Sequence, residues 1–191
     1  MQNDGFIALY YLCFVLNFLI VGNCHIKELI MEASIKELLN DQIAKEFASA
    51  YLYLAISAYY EDESLEGFSH WFKRQASEEL EHGMKIYDYL LENSTVPSLK
   101  TIVGPSALFK TPDEPLRRAL EHERFVTDSI YRIYDEAKKM KDYKTEKFLD
   151  WFVVEQAEEE LEAQRLVNRM KLFGQDAKGL YALDKELHER L

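Results

Sequence analysis

Apolar residues recur every three or four positions through Ile35, Leu39, Ile43, Ala50 and Leu54, which lays one apolar stripe on a helix over about 34 to 60. The short polar run Glu61-Asp62-Glu63 ends it. A second stripe, Phe68, Phe72, Ala76, Gly83, Ile86 and Leu90, predicts a helix over about 65 to 93 with Ser64 as its N-cap. With so short a turn the two helices are antiparallel neighbours. Residues 94 to 111 hold Pro97, Gly104 and Pro105 and keep no period, the signature of a crossover spanning the length of a helix. Thr111-Pro112-Asp113-Glu114 then reads as a capping box with proline at the first helical position. It launches a third helix through Leu116, Leu120, Val126, Ile130, Ile133 and Ala137. Lys141 and Asp142 mark a break. Phe148, Phe152, Ala163, Leu166 and Met170 carry a fourth helix to Gly174, read as a C′ glycine, and a shorter fifth helix covers about 177 to 189.

Two antiparallel hairpins joined by one long crossover make an all-α four-helix bundle of ferritin-like connectivity, with a short C-terminal fifth helix. Composition agrees. Of 191 residues 48% are apolar, and only seven are Gly and four Pro, too few for the turns of a β-sandwich. The formal charge of −11 argues against nucleic acid and leaves cations as natural partners. Residues 1–30 differ from the rest: Phe6 to Gly22 is 17 residues without a charge. They are read as a mis-set start or dispensable extension, with a signal or a membrane anchor as alternatives. Residues 31–191 read as one complete domain. Both cysteines, Cys13 and Cys24, fall in the extension, so the domain has no thiolate site and no disulfide framework, which fits the cytoplasm.

The chemistry lies where acids interrupt the apolar stripes, because a carboxylate in a bundle core is costly unless it is paired or binds a metal. Glu46 falls between Ile43 and Ala50, Glu79 between Ala76 and Gly83, and Glu123 between Leu120 and Val126. Glu155 and Glu159 continue the line of Phe148 and Phe152. Glu46 lies 16 residues before Asp62 and Glu79 lies 17 after it, so the hairpin brings them level. Around Asp142, Glu123 lies 19 before and Glu159 lies 17 after. Four helices thus bring acids to one depth. Glu79-x-x-His82 adds an imidazole on the same helix face. It is half of the di-iron pattern in which two helices give a Glu each and two give Glu-x-x-His. The fourth helix departs from that pattern, with Gln156-x-x-Glu159 in place of Glu and His. An oxygen-rich set suits a hard ferric ion, and the asymmetry weakens one of two metal positions. His70, His122 and His188 lie off the ligand line and are expected at the surface. Trp71 and Trp151 are expected to be packing residues.

Over residues 31 to 191 this combination resembles the bacterial and archaeal non-haem ferritins. The resemblance implies a first iron site of Glu46, Glu79 and His82. It implies a second of Glu79, Glu123, Gln156 and Glu159, with Glu79 bridging, and a third of Glu78, Glu155 and Glu158 with Glu159. It also implies a redox tyrosine, Tyr53, seven residues after Glu46. The implied activity is oxidation of Fe(II) by dioxygen or hydrogen peroxide, with ferric mineral stored inside a homo-oligomeric cage of 24 subunits. Iron is the expected cofactor, and haem is not, because Leu80 stands where bacterioferritins carry a haem-ligating Met. The four-cysteine iron domain of rubrerythrins has no counterpart. Two alternatives remain from the residues alone, a catalytic di-iron oxygenase or peroxidase and a bundle that only buffers iron.

Overall fold

The computed structural model describes residues 31–106 and 108–189, so the apolar extension lies outside the described residues. Five helices follow in order: α1 (Ala33–Asp62), α2 (Glu66–Glu92), α3 (Glu114–Met140), α4 (Tyr143–Phe173) and α5 (Ala177–Glu189). There is no strand among the described residues, and none of their helices is long and apolar enough to cross a membrane. α1 pairs with α2 and α3 with α4, α1 and α3 join the two hairpins, and α5 packs on α2 and α4.

The crossover spans the bundle, as its length requires. Near its start the Ser98 N–H donates to Asn40 Oδ1 at 2.7 Å, and Lys100 ion-pairs with Glu37 and Asp41. At its end the Pro112 carbonyl accepts from the Tyr60 hydroxyl at 2.6 Å. Residues 40 and 60 stand about 30 Å apart on α1.

The helix ends correct three expectations. Ser64 is not an N-cap: its φ is 59°, and it closes α1 in a Schellman motif in which Leu65 N–H donates to Tyr60 O at 2.8 Å. α2 ends in the same way at Ser94 (φ 53°) and α3 at Lys141 (φ 59°). Each left-handed non-glycine residue costs about 1 kcal/mol, offset by the two carbonyls that the motif satisfies. The Thr111 capping box does not form. α3 begins at Glu114, with Pro115 in its first turn and no side-chain cap from Asp113. The Glu114 carboxylate instead accepts the Lys110 N–H at 2.7 Å. Gly174 has φ −80°, so it is no left-handed cap; a Cβ there would lie 2.8 Å from the Met170 carbonyl oxygen, which is backbone and cannot turn aside, as well as 2.1 Å from Met170 Sδ. Asp142 does cap α4, accepting from Thr145 N–H at 3.0 Å.

The apolar stripes meet in two clusters, and a polar layer separates them. One contains Ala50, Tyr53, Phe72, Ala76, Ala119 and Leu166. The other contains Ile43, Ile86, Val126, Ile130 and Phe152. Between them on each long helix stand Glu46, then Glu79 and His82, then Glu123, then Gln156 and Glu159, all buried. Leu54 leaves the stripe and is 50% exposed, because Tyr53 and Ile56 take the inward face of that turn.

Candidate metal centre

Each site side chain is placed by ordinary helical spacing between the two apolar clusters. Ligand atoms of Glu46, Glu79 and His82 all lie within 4.8 Å of one another. His82 Nδ1 is 3.7 Å from Glu79 Oε2, and the imidazole is held edge-on against Trp151, ring centroids 5.3 Å apart. Trp151 is partly exposed and packs beneath the Lys85 ammonium, 4.1 Å from its ring centroid. Glu46 Oε2 and Glu79 Oε2 are buried and accept no hydrogen bond. Two such oxygens cannot both stay ionised without a proton or a cation.

Four carboxyl groups act on one another around the layer: Glu79 raises Glu46, Glu159 raises Glu79, Glu123 raises Glu159 and Glu46 raises Glu123, while a hydrogen bond shared with Glu46 holds Glu79 back. Burial and then repulsion from Glu79 push Glu46 well above the usual carboxylate range. Burial is the main cause that pushes Glu79, Glu123 and Glu159 each up to about 8. At neutral pH these groups hold protons, and a divalent cation would replace them.

Amides, which the sequence reading named only at Gln156, hold three of the four acids. Gln42 Nε2 donates to Glu46 Oε1 at 2.8 Å, Gln75 Nε2 to Glu159 Oε2 at 2.9 Å, and Gln156 Nε2 to Glu123 Oε2 at 3.2 Å. Gln42 and Gln75 were visible in the chain as polar residues one position ahead of the stripe residues Ile43 and Ala76. Only their contacts give them a part in the site. Gln156 turns its amine end to Glu123, leaving its Oε1 as the atom that could serve a cation.

The outer acids are a looser group. Glu78 and Glu155 are half-buried and Glu158 is exposed. Arg74 Nε lies 3.4 Å from Glu78 Oε1. Burial raises Glu78, with Arg74 opposing. Tyr53 is buried, its ring 5.6 Å from Phe72 and 6.2 Å from His122. His122 corrects the expectation of a surface residue: it is half-buried, pairs with Ser49 Oγ at 2.7 Å, and is pushed down to about 4 by burial and then by Arg118. The side of α3 that carries it is covered by α1, which no periodicity within α3 reveals. His70 and His188 are exposed, as expected.

Fold and site together define a four-helix bundle in which acidic, amide and imidazole side chains from all four long helices converge on one buried layer, where Glu46, Glu79 and His82 could hold a cation. The Ferritin-like domain model matches residues 36–173. The chain is 40% identical over 154 residues to the bacterial non-heme ferritin of Staphylococcus haemolyticus, covering 81% of this chain and 93% of that relative. It is 36% identical over 160 residues to that of Staphylococcus aureus strain MRSA252, covering 84% and 96%. The open pore ferritin of the hyperthermophilic archaeon Archaeoglobus fulgidus superposes with TM-score 0.82 at 38% identity, covering 84% of this chain and 98% of that one. An engineered closed form of the same ferritin gives TM-score 0.82, also at 38% identity, covering 85% and 99%. The chain belongs to the ferritin family, whose activity is iron storage with oxidation of ferrous ion, and it is a subunit of a homo-oligomer.

Proposed function

We propose that this chain stores iron and oxidises Fe(II) at the buried layer, with ferrous ion as substrate. The observation that carries the reading is the convergence of Glu46, Glu79 and His82, two of whose carboxylate oxygens are bare, inside a ring of four buried acids. Glu46, Glu79 and His82 take one ferrous ion, and Glu79, Glu123, Gln156 and Glu159 take the other, with Glu79 shared. Cation binding displaces the protons held there, so capture releases protons and strengthens as pH rises. Each ferrous ion gives up one electron. Dioxygen takes the two electrons with two protons and leaves as hydrogen peroxide; hydrogen peroxide takes two electrons and two protons and becomes two waters. Tyr53 is read as a redox residue beside the centre.

The second position offers an amide and carboxylates but no imidazole. It therefore binds the softer ferrous ion less firmly and favours onward passage of the hard ferric product to Glu78, Glu155 and Glu158 with Glu159. We assign the storage form to a cage of 24 copies in the cytoplasm. The test is stopped-flow oxidation with excess oxygen. Glu79→Ala is expected to abolish the fast phase, while His70→Ala, on an exposed histidine away from the layer, leaves it near the parent rate. Equal rates in the two variants would sink the assignment.

A further inference from the structure

Glu46 is tied from behind by a row of donors. Gln42, buried one turn earlier on α1, donates to Glu46 Oε1 at 2.8 Å. Ser129 of α3 donates its hydroxyl to Gln42 Oε1 at 2.6 Å, and the Lys45 ammonium donates to the same Ser129 oxygen. An ammonium has donors and no acceptor, and a serine hydroxyl has one proton. Ser129 therefore accepts from Lys45 and directs its proton at Gln42 Oε1, which turns the NH2 end of the amide toward Glu46. With a donor-only group at its start, the row runs from Lys45 through Ser129 and Gln42 to Glu46. Glu46 Oε1 is engaged, and Oε2 is left bare among the ligand atoms of Glu79 and His82.

We propose that Lys45, Ser129 and Gln42 are positioning residues for cation capture, holding Glu46 so that Oε2 is presented to the incoming divalent ion. This rests on the reading of Glu46, Glu79 and His82 as the first cation position. Once a cation displaces the protons that Glu46 and Glu79 hold, two facing carboxylates are left, and without this tie Glu46 would be free to rotate out of the layer. A neutral amide prevents that without placing a positive charge in hydrogen-bond contact with Glu46, and the ammonium stands three hydrogen bonds back along the row. The order repeats on α2, where the donor-only guanidinium of Arg74 reaches Gln75 Oε1 at 3.4 Å and Gln75 donates to Glu159.

The experiment titrates the metal-free assembled protein with Co(II), read by visible absorption, alongside ferrous oxidation rates. Gln42→Leu and Ser129→Ala are each expected to weaken the first Co(II) by about 10–100-fold, with particle mass and helix content unchanged. The ferrous concentration for half-maximal rate rises more than the saturated rate falls. Ser129→Ala adds nothing in the Gln42→Leu background, because the two act through one row. Lys45→Met weakens binding, whereas Lys45→Arg, which keeps a donor-only head, does not. Glu79→Ala is read in parallel: if it binds Co(II) as the parent does, the cation site itself is wrong. If Glu79→Ala loses Co(II) while Gln42→Leu and Ser129→Ala bind as the parent does, the positioning inference alone is overturned. Should Gln42→Leu fail to assemble, Ser129→Ala and Lys45→Met decide the question in the same way.

Discussion

In the metal-free protein the ring of acids opposes folding, and Glu79→Gln measures by how much. Glu79 ordinarily titrates near 4.5 and is pushed to about 8 in the fold, chiefly by burial. An acid raised by folding keeps its proton in the native state while the unfolded chain has lost it. Stability is therefore highest below 4.5, falls as pH rises toward 8, and levels off above. At about 1.4 kcal/mol per pH unit, the loss reaches roughly 3 kcal/mol by neutral pH as an upper bound, because neighbouring acids share the same protons. Glutamine mimics the protonated acid and does not titrate. Chelator-treated Glu79→Gln should match the parent near pH 4.5 and melt higher near pH 7, by up to about 6–12 °C at about 2–4 °C per kcal/mol for a chain of this size. Calorimetry at fixed protein concentration and scan rate checks it. Saturating Zn(II), which does not change oxidation state, should reverse the order, because the parent gains the cation that replaces its protons and the variant has lost a shared ligand. A metal-free variant that melts with the same pH slope as the parent would refute the reasoning.

Three further outcomes follow from the geometry. Gln156→Glu with Glu159→His rebuilds the missing Glu-x-x-His, and it should tighten ferrous binding, keep the first turnover fast and slow later ones. Oxidation of iron added in successive small aliquots, with retained and mineral iron counted, checks it; mineral growth as fast as the parent's would show that transit does not depend on a weak second position. Gly67→Ala would set a Cβ 1.8 Å from the Asp184 carbonyl of α5, against backbone that has no free rotamer. It should loosen α5 and cost about 1–3 kcal/mol, seen as faster amide exchange at Leu183 and Leu187. A chain beginning at Met31 should assemble to the same mass as the cell-derived protein, and to the same number of copies as the full-length chain, in size exclusion with light scattering; fewer copies would give residues 1–30 a part in assembly.

The helices, their order and the depth of the acids were legible along the chain, because helical period and distance from a turn are one-dimensional quantities. Glu46 and Glu79 level across one hairpin, and Glu123 and Glu159 across the other, needed only a count of residues. Helix ends were less legible. Whether Ser64 caps α2 or closes α1 depends on how the preceding carbonyls are satisfied, and both roles suit serine in that place. The packing of the helices against one another sets which side of each a neighbour covers. It exposed Leu54 beside buried Tyr53, and it half-buried His122 against α1, where burial and then Arg118 hold its pKa down to about 4. Most of all, it decided which atoms of the acids are tied and which are free. Glu46 has two equivalent oxygens in the sequence; they become different only when Ser129, 87 residues away on another helix, orients the amide of Gln42. A hydrogen bond between helices has a direction set by three-dimensional placement, and no pattern within one helix contains it.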